Sequence, residues 1–154
     1  MTDADRPLRP ATAADTEAIA RLVDDAYGHW VERIGMVPGP MTEDYADVIA
    51  KRRVMVAEYD DRIVGVVVFG AADEGFAILN VAVHPSFQGK GLGRALMEHA
   101  EAAALLGGFD SVYLYTHEKA AENIALYARV GYVEYERRPM GDFALVFMRK
   151  PLGT

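Results

Sequence analysis

Two small groups of residues in this chain combine types and spacings that suit an anionic ligand and a proton transfer beside it. The first is the turn QGKGLG, Gln88 to Gly93, set between the apolar run FAILNVAVHP and the segment GRALMEHAEAAALL. Gly89, Gly91 and Gly93 remove side chains that would hold a phosphate away from the backbone. A helix beginning near Leu92 points its free N–H groups at the same spot, and Lys90 and Arg94 add two cations. The second group is Asn123 and Tyr127, four residues apart on a segment that reads as helix from about Ala120 to Val130, stopped by Gly131. At that spacing an amide and a phenol share one face.

Spacing separates the motifs that such a turn can belong to. A Walker A loop needs Ser or Thr after its lysine, and Lys90 is followed by Gly91. A dinucleotide fingerprint, G-x-G-x-x-G, fails because the third position falls on Arg94 or Leu96. What remains is Q-x-x-G-x-G preceded by VAVHP, which resembles the acetyl-CoA pyrophosphate loop of the GNAT superfamily of N-acetyltransferases. About thirty residues on, Asn123, Tyr127, Gly131 and Tyr132 resemble the second half of the GNAT pattern.

The resemblance implies acetyl-CoA as cosubstrate, with no metal, and direct transfer of its acetyl group to a primary amine in a ternary complex. By the same resemblance, Gln88, Gly89, Lys90, Gly91, Leu92, Gly93 and Arg94 hold the pyrophosphate. The backbone of Val81, Ala82 and Val83 holds the pantetheine arm where the fourth and fifth strands part after a bulge, Asn123 contacts the cofactor, and Tyr127 protonates the departing thiolate. A non-catalytic acyl-CoA sensor is the alternative, since it keeps the turn without needing a base.

Composition fits this reading. At 154 residues the chain reads as a single domain, 1–154, long enough to bury a full core. It has no cysteine, so a thiolate metal site, a disulfide and a cysteine acyl-enzyme are all excluded. A net charge of −7 and a pI near 5.0 argue against a nucleic-acid partner. No apolar run is long enough to span a membrane and the start, MTDADRPLRP, is polar, so the cytoplasm is the expected location. The expected partner is a small-molecule or peptide amine.

The elements that must position these residues read as a mixed α/β (α+β) order, β-α-α-β-β-β-α-β-α-β-β, which also resembles the GNAT arrangement. The first helix is expected over Asp15 to Ile34 with Asp15 as a candidate cap, and the second from Thr42 to about Lys51 after the loop GMVPGPM, a candidate lid. Strands follow at Val54–Tyr59, Ile63–Ala71 and Phe76–His84. In the helix after the turn, Leu92, Leu96, Ala100 and Ala103 form an apolar face, and Arg94, Glu98 and Glu101 a solvent face. Two strands, Val133–Arg138 and Phe143–Arg149, close the chain; their alternating Val133, Tyr135, Phe143, Leu145 and Phe147 suggest a homodimer edge. Tyr27, Trp30, Met36, Met41 and Tyr45 gather where GNAT proteins build the acceptor side, with Glu43, Asp44 and Asp47 as carboxylates for a cationic amine. His84, His117 and Glu118 are candidate bases acting through water, whereas Asn80 and Tyr115 in the strands are not good bases.

Overall fold

The computed structural model describes residues 7–153; the first six residues of the polar N-terminal stretch lie outside them. In chain order the elements are β1 (Leu8–Pro10), α1 (Thr16–Tyr27), α2 (Trp30–Ile34), α3 (Tyr45–Lys51), β2 (Arg53–Tyr59), β3 (Arg62–Ala72) and β4 (Gly75–Val83). Then come α4 (Leu92–Leu106), β5 (Ser111–His117), α5 (Ala121–Arg129), β6 (Val133–Met140) and β7 (Phe143–Pro151). The seven strands form one mixed sheet in the order β1-β2-β3-β4-β5-β7-β6. Every neighbouring pair is antiparallel except β4 and β5. Among the described residues no helix is long and apolar enough to cross a membrane.

The sheet buries both faces, which is why β3 reads as a continuous apolar run. Val66 and Val68 turn towards Ile19, Leu22, Val23 and Ala26 of α1 and Tyr45 of α3. Val67 and Phe69 turn the other way, to Leu92, Leu96, Met97 and Ala100 of α4. Gly65 sets how closely α4 approaches: a Cβ there would lie 3.0 Å from Leu96 Cδ1 and 3.2 Å from Leu92 Cδ2.

Several expectations are corrected. The long first helix is two, α1 and α2, broken at Gly28 and ended at Gly35, whose φ of 83° is left-handed. Thr42 does not open the next helix; it closes a 3-10 turn, and Asp44 caps α3 by accepting from the N–H groups of Ala46 (3.1 Å) and Asp47 (3.3 Å). Glu101 is not on the solvent face of α4 but buried, where it accepts from the Tyr132 hydroxyl at 2.8 Å and the Lys150 ammonium at 3.0 Å. At the sheet edge, Val133 and Tyr135 are exposed while Phe147 is buried beneath the Arg138 guanidinium, so the five apolar residues of β6 and β7 do not form one exposed stripe.

Asp15 does not cap α1 through its side chain. It instead joins the start of α1 to β1, taking two hydrogen bonds from Arg9, at 2.8 and 3.0 Å, and one from the Thr12 N–H at 2.7 Å. The Arg9 hydrogen bonds hold its carboxyl at about 2, below the ordinary 3.8. A depressed folded value contributes stability that is full above the unfolded value and is lost as pH falls through the folded one. Asp15→Asn is therefore expected to lower stability by ~1–2 kcal/mol at pH 7 in urea denaturation. The difference from wild type should shrink between about pH 4 and 2; a pH-independent difference would refute the assignment.

Candidate active site

The site is built around a parting of strands. β4 and β5 pair only at Phe76 with Val112 and Ala77 with Tyr113. One residue later β4 bulges: Val68 faces Asn80 and Phe69 faces Ile78, so Leu79 is the extra residue. From there to Val83, β4 runs beside β3 alone, with a gap towards β5.

Which backbone groups face the gap follows from antiparallel alternation. The His84 N–H donates to the Val64 carbonyl at 2.9 Å, so the pairs Val66 with Ala82 and Val68 with Asn80 are also hydrogen-bonded. Val81 and Val83 therefore turn their N–H and C=O groups to the gap. Both carbonyls take side-chain donors: Tyr27 Oη is 3.0 Å from the Val81 oxygen, and Gln88 Nε2 donates to the Val83 oxygen at 3.0 Å. Ala82 is placed differently from the expectation. Its backbone serves β3, and its methyl group is buried against α1.

The turn QGKGLG leaves the end of β4 and leads into α4. Gly89 and Gly91 have φ of 78° and 87°, a left-handed conformation that needs glycine, and Gly91 is the N-cap of α4 with no capping side chain. The N–H groups of the first helical turn, Leu92, Gly93 and Arg94, thus remain for an anion. The Leu92 side chain is core, and a Cβ on Gly93 would meet Val83 Cγ2 at 3.7 Å, an ordinary contact. Arg94 pairs with Glu98 at 3.1 Å, whereas Lys90 makes no ion pair among the described residues and lies 5.6 Å from the Phe87 ring centre.

A cavity of about 560 Å³ opens beside the gap, bounded by α1, α2 and α3 on one side and by β5, β7 and α5 on the other. Val81, Asn123 and Tyr127, which lie far apart in sequence, line it together. Of the aromatic and methionine residues expected on the acceptor side, Tyr27, Trp30, Met36 and Tyr45 line it, while Met41 packs into the α1 core. Tyr127 is buried, and that burial pushes its hydroxyl up to about 12. It stays a phenol throughout the physiological range.

Sequence reasoning missed the part of Asn80. Its carbonyl oxygen lies 2.7 Å from Tyr27 Oη, and its amide donates to Tyr45 Oη at 3.1 Å; Tyr45 in turn donates to the Pro40 carbonyl at 2.6 Å. One amide on β4 therefore fixes tyrosines from α1 and α3 together with the 35–41 loop. The signal was there: an asparagine inside FAILNVAV is a buried polar group that must be satisfied. Arg33 of α2 forms a two-pronged pair with Glu122 of α5, joining the two sides of the cavity, with Arg33 Nη2 2.6 Å from Glu122 Oε1.

The histidines expected as bases are occupied. His117 Nδ1 accepts from the Lys119 N–H at 3.0 Å, and its ring stacks on Phe143. Burial lowers its basicity, so the ring is held neutral with its proton on Nε2 and no free lone pair. His84 Nδ1 likewise accepts from the Ser86 N–H at 3.1 Å, and its Nε2 faces Asp25 at 3.8 Å. Glu118 lies outside the cavity lining.

Residues 50–134 match the family model described as the acetyltransferase (GNAT) domain. An uncharacterised N-acetyltransferase from Chlorobaculum tepidum is 30% identical over 138 residues, covering 89% of this chain and 81% of the relative. The ribosomal-protein-bS18-alanine N-acetyltransferase of Salmonella typhimurium is 33% identical over 75 residues, 49% of this chain and 51% of that enzyme. The PaiA N-acetyltransferase of Thermoplasma acidophilum, solved in complex with coenzyme A, superposes with a TM-score of 0.79 at 15% identity, over 95% of this chain and 98% of that one. With the strand gap, the glycine turn and this family match all falling within one stretch, the chain belongs to the GNAT acetyltransferases.

Proposed function

We propose that the protein transfers an acetyl group from acetyl-CoA to a primary amine by direct attack in a ternary complex. The observation that carries this is the cavity wall, where Val81 of the open β4 edge meets Asn123 and Tyr127 of α5. In this reading the N–H groups of Val81 and Val83 receive the carbonyls of the pantetheine arm and thioester. The turn Gln88–Arg94 receives the pyrophosphate through the N–H groups of Gly91, Leu92, Gly93 and Arg94, with Lys90 as the nearby cation and Asn123 as a further contact.

The chemistry then concerns protons. A lysine-like amine with a pKa of about 10.4 is neutral roughly once in 2,500 molecules at pH 7, a cost of ~4.6 kcal/mol before attack. The neutral nitrogen attacks the thioester carbonyl carbon, a C–N bond forms, and the carbonyl oxygen takes the charge beside a β4 N–H. Collapse breaks the C–S bond. A phenol near 12 facing a thiolate with an ordinary thiol value of about 8.5 makes complete proton donation uphill by ~5 kcal/mol. Tyr127 therefore works as a hydrogen-bond donor that strengthens as charge reaches sulfur. The sulfur keeps the Tyr127 proton only as the phenol oxygen takes the one that nitrogen sheds.

Two measurements test this. Calorimetric titration with acetyl-CoA is expected to show micromolar binding to wild type and none to Gly91→Glu, which puts a carboxylate on a left-handed residue in the anion cradle; equal binding would discard the site. Tyr127→Phe is expected to lower turnover by about 10²- to 10³-fold while acetyl-CoA affinity stays within about twofold. Unchanged turnover would remove Tyr127 from the mechanism, and binding without turnover over a broad amine panel would favour the sensor.

A further inference from the structure

The acceptor side of the cavity contains two carboxylates, Glu43 and Asp47, and they differ in what they face. Asp47 is in an ion pair with Lys51 at 3.0 Å. Asp44, the third acidic residue of this segment, is outside the lining and is used as the α3 cap. Glu122 of α5 lies outside the lining and is held by Arg33. Glu43 accepts no hydrogen bond and joins no ion pair with any described residue. Its charge nevertheless acts on the cavity wall: after burial, it is the main influence holding the Tyr45 hydroxyl above its ordinary range. Tyr45 is the residue that Asn80 fixes to β4, beside Tyr27 and Val81.

We infer that Glu43 is the specificity-determining carboxylate of the acceptor site, taking the ammonium of a primary amine whose apolar or aromatic body lies against Trp30, Met36 and Leu79. This rests on the acceptor-side reading of the cavity given above. The lining also holds the cations Lys51 and Arg52, but Lys51 is paired with Asp47 and Arg52 reaches the Ala71 carbonyl at 3.5 Å. Glu43 is therefore the lining carboxylate with no cation on it among the described residues, and an unpaired anion beside Trp30, Met36 and Leu79 selects cations over neutral molecules of the same shape. The volume, about 560 Å³, lies in the range of small-molecule sites. The segment that carries Glu43 is held in place: the Tyr45 hydroxyl binds the Pro40 carbonyl, and Thr42 Oγ1 donates to the Gly39 carbonyl at 2.8 Å. The backbone that carries Glu43 is therefore fixed, while its exposed carboxylate oxygens are left for the ligand. Once seated, the ammonium loses a proton to solvent water at the open rim to reach the attacking form; Glu43, exposed there, stabilises the charged amine and so governs its selection and not its deprotonation.

The test reads binding, and the amine panel described above reads turnover. With CoA present, 2-phenylethylamine and its neutral isostere 2-phenylethanol are titrated into wild type, Glu43→Gln and Asp47→Asn. Wild type is expected to prefer the amine by roughly fivefold to tenfold, a preference that falls as salt is raised. Glu43→Gln should abolish that preference without changing affinity for the alcohol or for CoA, and Asp47→Asn should keep it within about twofold. Loss of the preference in Asp47→Asn instead, its survival in Glu43→Gln, or its absence in wild type would overturn the assignment. Amine preference governed by Glu43 in a protein that acetylates nothing would uphold the cation site and reject acetyl transfer.

Discussion

The separation of β4 from β5 after Ala77 is the constraint on which the rest of the structure depends. A strand inside a sheet normally hides both of its hydrogen-bonding edges; here a bulge at Leu79 turns one edge into an open row of polar groups. Leaving them all unpaired in the interior would be costly. The fold meets half of that need itself, since Tyr27 reaches the Val81 carbonyl and Gln88 the Val83 carbonyl. The N–H groups on the same edge are what remain. An edge presenting donors, continuing into a helix N-terminus that also presents donors, favours one kind of ligand: extended, carbonyl-bearing and ending in phosphate.

That arrangement answers a problem posed by the composition. A chain of net charge −7 repels a polyanion at a distance, so binding must be won locally. Left-handed Gly91 caps α4 without a side chain, and Gly65 lets α4 sit close on β3, so its N-terminus is fixed by the core. Arg94 is partly spent on Glu98, which places more of the local charge on Lys90. Backbone dipoles held by packing thus supply what surface charge does not.

Most of this was legible from residue types. The turn, the amphipathic α4, the spacing of Asn123 and Tyr127 and the order of elements along the chain all follow from local patterns, and local patterns carry the 2.0 and 3.6 periods directly. What was not legible depends on pairing between distant segments. The first helix breaks at Gly28 although its apolar spacing continues, and Glu101 sits at a surface-like helical position yet is buried because Tyr132 and Lys150 come from elsewhere in the chain. Ala82 was grouped with Val81 and Val83, but strand alternation with β3 turns it the other way, a distinction that needs the register. The Tyr27–Asn80–Tyr45 connection joins residues from three elements, so no window of sequence contains it.

The same connection bears on the proton problem. Acetyl transfer to an amine needs somewhere for the ammonium proton to go, and histidine is the usual choice near neutral pH. In this protein both candidate histidines spend a lone pair on the N–H two residues ahead, at Ser86 and Lys119. Burial further disfavours the charged form of His117. The His117 ring, neutral with its remaining nitrogen protonated, is a donor and cannot begin the reaction. In the proposed reaction the cavity divides its work by position: the Tyr127 phenol on α5 is the hydrogen-bond donor where negative charge develops, and the acceptor rim supplies an anion where positive charge arrives. The protons of Tyr27 and Tyr45 are already given to the Asn80 or Val81 oxygen and to the Pro40 carbonyl. In that reaction the ammonium proton is lost at the acceptor rim before attack, while Tyr127 gives its proton to sulfur as it takes the one that nitrogen sheds afterwards, so the two protons that leave the amine are handled at separate places.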